Sequence, residues 1–314
     1  MASKNQKKIL WAVDAFQPEK EAQSHVIETL RVLSSRTGAS ILPAYVLSPD
    51  QLNLSLDFTG PWVTTYKPAV EKSLNHLIES SGLQNVARAK ILIKDSASLK
   101  NSVRSLAAYA ASQGAELIVA GTQGKRGLSR IVLGSFAESL LLYSKVPVLI
   151  VGPEAKPETQ FDSILFPTDL GKNALAALSS IADFAKTLGA KIKILHAIPN
   201  PIEPVLQSGV YLLSGGWVPV PVYLEKEKEK RNKKAQDLVD RLQKKGIEAS
   251  YEINTSSSSV TQAVLDTLIK DRMGLIAMAA QSGPVASALL GSITRQMVRG
   301  APCPVWVVRP RAKK

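Results

Sequence analysis

The stretch Lys8-Ile-Leu-Trp-Ala-Val-Asp14 is a short apolar run that ends in a carboxylate. It returns 155 residues later as Ser163-Ile-Leu-Phe-Pro-Thr-Asp169. Further matches follow in the same order in both halves: Gly134-Ser135 with Gly291-Ser292, and Val146-Pro147-Val148 with Cys303-Pro304-Val305. Self-similarity at a nearly constant spacing indicates that one structural unit is duplicated. We therefore expect two tandem domains, at residues 1–153 and 160–314, joined by a segment rich in Pro and Glu.

Each half alternates short apolar runs with helical patterns. Runs such as Leu117–Ala120 and Val146–Val151 carry apolar residues at successive positions, which is typical of strands buried on both faces. Alternation of strands and helices predicts a parallel sheet with right-handed crossovers. The expected fold class is α/β, with two doubly wound domains that each hold a five-stranded parallel sheet covered by helices on both faces.

The composition limits the cellular setting. The single cysteine, Cys303, excludes an internal disulfide, and no group of residues has the spacing of metal ligands. The apolar run after Lys8 is too short for the core of a signal peptide, and no run approaches the length of a membrane span. We expect a cytoplasmic protein without a metal site and without membrane contact.

The formal net charge of +13 raises the affinity of the chain for any polyanion. Much of the excess lies between Lys226 and Lys245, where Glu227 precedes Arg231 by four residues, the spacing of paired charges on an exposed helix. No aromatic residues are interleaved there to stack on bases. A nucleic-acid partner is therefore not expected.

The loop after the fourth predicted strand carries a glycine pattern, G-x2-G-x9-G-S, that runs from Gly121 to Ser135. Glycine backbones can approach phosphate oxygens closely, and the amides at the start of the following helix favour an anion. In an open parallel sheet, ligands bind at the carboxyl ends of the strands, where Asp14 also lies. The predicted binding residues are Asp14, Gly121, Gly124, Lys125, Arg126, Gly127, Arg130, Gly134 and Ser135.

Each of these features also has a purely structural interpretation. Ser135 and Glu138 have the spacing of a capping box, which would exist without any ligand. Asp14 could simply brace the loop that follows its strand.

The second half keeps less of the pattern. Ala280 is taken as the counterpart of the first glycine, no lysine or arginine lies between it and Gly291, and Arg295 replaces the capping glutamate. Losing the cations would weaken contacts to phosphate, which are worth roughly 1.5–3 kcal/mol each when charge-assisted. We expect a degenerate second site that is empty or weakly binding, formed by Asp169, Gly283, Gly291 and Ser292.

The strand-ending Asp14, the loop from Gly121 to Ser135 and the closing Val146-Pro147-Val148 strand resemble the universal stress protein family. The resemblance covers both halves, as in tandem members of that family. It implies a strand order 3-2-1-4-5 and an ATP site, with or without magnesium, at the point where the winding reverses. It also implies that Asp14 contacts adenine or ribose, and that the glycines and Ser135 hold ribose and phosphates.

Three functions remain open at this point. The first is a cytoplasmic stress protein in which ATP bound to the N-terminal half acts as a regulatory ligand. The second is a nucleotide-free interaction module, in which the two halves mimic a dimer and the chain can pair further as a homodimer. The third is a slow ATPase, for which a metal or water must be held for phosphoryl transfer; only Asp14 and Glu138 are near candidates, and the sequence places neither at the γ-phosphate. We expect no catalytic residues and no enzymatic role.

Overall fold

The computed structural model describes residues 6–16, 20–52, 61–122, 135–156, 161–198, 209–211, 217–257, 259–280 and 291–308. The chain forms two units, Met1–Gln160 with Ala280–Arg309, and Phe161–Ala279 with Pro310–Lys314. The first unit therefore contains the whole first repeat together with the last helix and strand of the second repeat.

The first unit is built on a six-stranded sheet. Its strands are β1 Lys8–Ala12, β2 Ser40–Leu47, β3 Lys90–Ile93, β4 Leu117–Gly121, β5 Val148–Val151 and β12 Val305–Val308. Its helices are α1 Lys20–Thr37, α2 Trp62–Ser81, α3 Leu99–Ser112, α4 Ser135–Tyr143 and α8 Ser292–Gly300. The strand order is β3-β2-β1-β4-β5-β12, so the predicted order 3-2-1-4-5 is confirmed in the first repeat.

One strand pair joins the two repeats and is antiparallel. The pairs within the first repeat are parallel, whereas β5 and β12 pair antiparallel. Because this pair joins the end of the second repeat to the first, the last helix and strand of the second repeat belong to the first compact unit.

The second unit holds the remaining elements of the second repeat. Its strands are β6 Ser163–Pro167, β7 Lys191–Ala197, β8 Gly209–Tyr211, β9 Trp217–Pro219, β10 Ala249–Asn254 and β11 Leu275–Ala279. Its helices are α5 Lys172–Leu188, α6 Val220–Gln243 and α7 Val260–Lys270. The order β10-β7-β6-β11 is parallel throughout and repeats 3-2-1-4, while β8 and β9 form a separate antiparallel pair.

Equivalent elements form for the same local reasons in the two repeats. Leu10 in β1 and Leu165 in β6 are fully buried, and burying such a side chain contributes about 1.5–3 kcal/mol. Helices α3 and α7 both begin with a serine cap, because Ser98 accepts a hydrogen bond from the Asn101 amide and Ser259 from the Gln262 amide. The duplication seen in the sequence is therefore a duplication of packing and capping. Among the described residues, no helix is both long enough and apolar enough to cross a membrane.

Candidate functional site

The predicted site lies where β1 and β4 run side by side. Their parallel register joins Ile9 to Leu117 and Ala12 to Ala120. Asp14 and Thr122 each follow two residues after the last of these pairs, so they leave the sheet at the same level of its carboxyl edge. Since β2 continues the sheet beyond β1 and β5 continues it beyond β4, this edge is the switch point at which open α/β sheets bind ligands.

Asp14 shapes the turn that follows β1. Its Oδ1 atom accepts a hydrogen bond from the backbone amide of Phe16 at 3.0 Å. The same turn is held from α2, where the hydroxyl of Ser73 donates to the carbonyl oxygen of Ala15. The structural interpretation of Asp14 as a brace for its loop is thus confirmed, and any contact to a ligand would be an additional role.

Asp14 also acts on Tyr45, a buried residue of β2. Burial, and after it the negative charge of Asp14, raises the pKa of the Tyr45 hydroxyl far above its ordinary value. The tyrosine therefore stays neutral beside the carboxylate and can donate a hydrogen bond at any physiological pH. The ring of Phe16 meets the Tyr45 ring edge to face, with centroids 6.2 Å apart.

Gly121 ends β4 and lies against helix α1. A Cβ atom on Gly121 would lie 3.0 Å from the Cγ2 atom of Val26. This glycine therefore packs closely against α1, and a Cβ atom here would require the Val26 side chain to give way.

Thr122 is the residue of this edge that the sequence reasoning missed. It is 3% exposed, and its backbone amide donates to the carbonyl oxygen of Val151 at 3.1 Å. Its hydroxyl is buried and has no hydrogen-bond partner within the part of the chain that the structure describes. A buried hydroxyl without a partner costs roughly 1–3 kcal/mol, and Thr122 lies at the same edge of the sheet as Asp14.

The remaining residues of the predicted site are placed only in part. Gly124, Lys125, Arg126, Gly127, Arg130 and Gly134 lie outside the described residues. Ser135 is the exposed first residue of α4. Among the described contacts, Glu138 forms no capping box with Ser135; its carboxylate instead pairs with Arg295 at 3.1 Å. The structure also provides no cluster of His, Cys, Asp or Glu among its described residues that could hold a metal ion.

The equivalent edge of the second repeat has the same backbone design. Asp169 follows β6, and its Oδ1 atom accepts a hydrogen bond from the Gly171 amide at 2.8 Å. Leu170 between them has a φ of 58°, in the left-handed region that is strained for a leucine. The carboxylate that ends the first strand is therefore tied to its own loop in both repeats.

The side chains around this second carboxylate differ from those around Asp14. The strand register places His196 of β7 where Tyr45 stands in β2. The Nδ1 atom of His196 is 2.8 Å from the carbonyl oxygen of Thr168, and desolvation by burial lowers the pKa of this histidine. This contact satisfies the ring nitrogen and gives His196 a structural role at this edge.

Helix α6 places an arginine at this edge, and the charge of that arginine is already paired within the helix. A guanidinium nitrogen of Arg231 donates to the Asp169 carbonyl oxygen at 3.4 Å. Arg231 is also paired with Glu227 at 3.2 Å, which confirms the helical charge pairing predicted for these residues. The sequence contained the Glu227–Arg231 spacing but no signal that the arginine reaches the strand end.

The register also corrects one assignment made from the sequence. Leu275 pairs with Ile164 as Leu117 pairs with Ile9, so Ala279 is the counterpart of Gly121. Ala280 is the counterpart of Thr122, because its amide donates to Val308 as the Thr122 amide donates to Val151. The assignment of Ala280 to the first glycine was therefore wrong, and the second repeat has lost the buried hydroxyl as well as the glycine.

The structure places the other residues of the predicted second site only in part. Gly291 precedes α8 without a side-chain cap, and Ser292 is the exposed first residue of that helix. Gly283 lies outside the described residues.

Comparisons with known proteins agree with this architecture. The model of the universal stress protein family matches residues 5–152 and again residues 160–309. A universal stress protein of Mycolicibacterium smegmatis is 24% identical over 258 residues, which cover 80% of this chain and 82% of that protein. Universal stress protein MJ0531 of Methanocaldococcus jannaschii is 27% identical over 152 residues, which cover 46% of this chain and 81% of that protein.

Two solved structures have a similar fold over nearly the whole chain. A universal stress protein from Archaeoglobus fulgidus superposes with a TM-score of 0.64 at 19% identity, covering 98% of this chain and 97% of that one. The functionally unknown protein PA1789 from Pseudomonas aeruginosa PAO1 superposes with a TM-score of 0.59 at 15% identity, covering 97% and 93%. With the family model matching twice, the chain belongs to the universal stress protein family and carries two tandem copies of its domain.

Proposed function

We propose that the first repeat binds an adenine nucleotide, ATP, at the carboxyl edge of β1 and β4, as a regulatory ligand in a cytoplasmic stress response. The observation that carries the proposal is the buried hydroxyl of Thr122, which has no hydrogen-bond partner among the described residues. A ribose or phosphate oxygen at this edge would satisfy that hydroxyl and remove the cost of leaving it unpaired.

The residues around Thr122 can serve the different parts of a nucleotide. Asp14 would accept hydrogen bonds from a ribose hydroxyl or from the adenine amino group. The glycine backbone from Gly124 to Gly134 and the first amides of α4 would hold the phosphates, and Lys125, Arg126 and Arg130 would balance their charge. A magnesium ion, where present, would be carried in with the phosphates.

The second repeat is proposed to be empty or weakly binding. Ala280 occupies the position that Thr122 has in the first repeat, so the second repeat has no hydroxyl at this position to bond to a ligand. The sequence between Ala280 and Gly291 has no lysine or arginine to balance phosphate charge. We therefore expect one nucleotide per chain.

The test is a calorimetric titration of the full chain with ATP, with and without magnesium, on protein freed of any bound nucleotide. We expect one site per chain and, in Thr122→Val, an affinity about tenfold lower, because a single buried hydrogen bond is lost at nearly constant volume. The matched variant Ala280→Thr should leave both affinity and stoichiometry unchanged. No binding by the wild-type chain at millimolar ATP would reject the proposal.

A nucleotide-free interaction module is the second candidate, and two observations favour it. Asp14 accepts a hydrogen bond from the Phe16 amide, and Gly121 packs against Val26. Both residues therefore have structural roles that need no ligand. Capture of a protein partner that is indifferent to ATP and to Thr122→Val would favour this candidate over the first. The proposed role involves no turnover, and a slow ATPase stays the last alternative; hydrolysis that disappears in Gly124→Ala would revive it.

A further inference from the structure

The antiparallel pair of β5 and β12 is centred on two residues that correspond in the two repeats. Val148 and Val305 are matched by the sequence repeat, so Leu149 corresponds to Trp306. In the pair, Leu149 lies opposite Trp306, while Val305 and Val307 lie opposite Ile150 and Val148. The two strands are therefore related by a local twofold axis that passes between Leu149 and Trp306. These two residues occupy equivalent positions but have different side chains.

A second pair of corresponding residues is unlike in charge. Glu138 is the fourth residue of α4 and Arg295 the fourth residue of α8, both counted from the matched serines. The Nε atom of Arg295 lies 3.1 Å from an Oε1 atom of Glu138, with the two side chains 37% and 29% exposed. Opposite charges thus face each other across the same pair of repeat elements.

The position of Arg295 in its own helix makes this ion pair informative. A positive charge in the first turn of a helix opposes the helix dipole, whereas Glu138 in the first turn of α4 is favourable. No acidic residue lies in the first turn of α8. Local helix physics therefore disfavours an arginine at residue 295, and the contact with Glu138 is what offsets this.

We propose that these two unlike pairs make the β5 edge of the first repeat specific for the second repeat of the same chain. If two first repeats paired by the same symmetry, Glu138 would meet another Glu138, and Leu149 would meet only Leu149 and leave space. If two second repeats paired, Arg295 would meet Arg295, and two Trp306 side chains would compete for one place. Repulsion and poor fit thus act against like pairing, while attraction and fit support unlike pairing.

This specificity determines which glycine loops are present in each pair of repeats. Every pair formed through this edge contains one complete glycine loop, from the first repeat, and one degenerate loop, from the second. Two complete loops are not brought together across it. The inference rests on the β5–β12 pair and on the Glu138–Arg295 contact, and it holds whether or not the first repeat binds a nucleotide.

The test is a charge exchange in the full chain, followed by hydrogen exchange of the amides of β5 and β12. Glu138→Arg alone should speed exchange at these amides by about tenfold, because like charges then face each other. Arg295→Glu alone should speed it by less, because a glutamate also suits the first turn of α8. The double variant Glu138→Arg/Arg295→Glu should return to within about threefold of the wild-type rate. Amides of β3, at the far end of the first-unit sheet, should not change in any variant.

Neutral variants provide the control for charge. Glu138→Gln and Arg295→Gln should fall between the wild type and the reversed variants. If the effects of the two single charge reversals on the exchange rate simply add in the double variant, the inference is overturned. Additive effects would mean that Glu138 and Arg295 do not act on each other.

A second measurement separates specificity from a merely stabilising contact. In Arg295→Glu/Trp306→Leu both repeats carry the side chains of the first repeat, and in Glu138→Arg/Leu149→Trp both carry those of the second, so neither variant can form an unlike pair within its own chain. Sedimentation of the two variants mixed should show association between the unlike chains that is about tenfold stronger than for either variant alone. A mixture that associates no more strongly than either variant alone would overturn the claim of specificity, even if exchange at β5 and β12 had become faster.

Discussion

The carboxyl edges of the two repeats have the same backbone and different side chains around it. In each, the aspartate after the first strand accepts a hydrogen bond from the amide two residues later. The first repeat surrounds this turn with Tyr45 and Thr122, and the second with His196 and Ala280. The aspartate is therefore part of how both strand ends of this chain fold, and the two edges differ in the side chains that accompany it.

The comparison extends to the packing beneath the edge. Gly121 leaves just enough room for Val26 of α1, whereas the second repeat places Ala279 at the same register position. The glycine is thus a local packing requirement of the first repeat rather than a requirement of the fold. Any function of its backbone toward a ligand would be superimposed on this requirement.

The largest effect is expected from making the first repeat resemble the second at this position. Gly121→Ala should lower the free energy of unfolding by about 1–3 kcal/mol, because the new Cβ atom would lie 3.0 Å from Val26 Cγ2. Urea unfolding, with hydrogen exchange of the β4 amides as a local readout, would measure this. Adding Val26→Ala should recover part of the loss; a Gly121→Ala chain as stable as the wild type would contradict the packing argument.

The next effect separates the two edges at high pH. Tyr45 has a raised pKa in the folded chain, so the unfolded chain releases this proton first as the pH passes about 10. The contribution of Tyr45 to the free energy of unfolding is therefore fully present below about pH 10. Above that pH it is lost, at up to about 1.4 kcal/mol per pH unit. Tyr45→Phe should have a correspondingly flatter alkaline profile when unfolding is measured between pH 9 and pH 11. An unchanged slope would show that Tyr45 ionises as easily in the folded state.

The smallest effect is expected at the corresponding residue of the second repeat, on the acid side. Desolvation is the chief cause that lowers the pKa of His196 in the folded chain. The contribution of His196 to the free energy of unfolding is therefore fully present above the ordinary histidine pKa of about 6.5, and it is lost as the pH falls below that value. The Thr168 carbonyl and the charges of Asp169 and Glu227 oppose this shift, which keeps the effect small. His196→Gln should therefore lose slightly less stability than the wild type between pH 7.5 and pH 5.5. A steeper loss in the variant would mean that the histidine is charged in the folded chain.

Much of the fold was accessible from the spacing of residues. The repeated Lys8–Asp14 and Ser163–Asp169 stretches predicted the duplication and the parallel strands, because buried strands and their connecting helices have local patterns. The placement of Asp14 and Gly121 at one edge also followed, since parallel strands in neighbouring positions end at the same side. The role of Thr122 did not follow, because a threonine within a glycine loop gives no sign in the sequence of whether its hydroxyl is buried.

Duplication and the loss of loop cations in the second repeat are properties of the chain's linear pattern, and the strand order was implied by the family resemblance that this pattern carries. The matching of Tyr45 with His196, the reach of Arg231 to Asp169, and the pairing of Glu138 with Arg295 depend on strand register and on contacts between residues far apart in the chain. Register cannot be read from spacing to within one residue, as the shift from Ala280 to Ala279 demonstrates. The distinct chemistry of the two edges is therefore a consequence of three-dimensional packing.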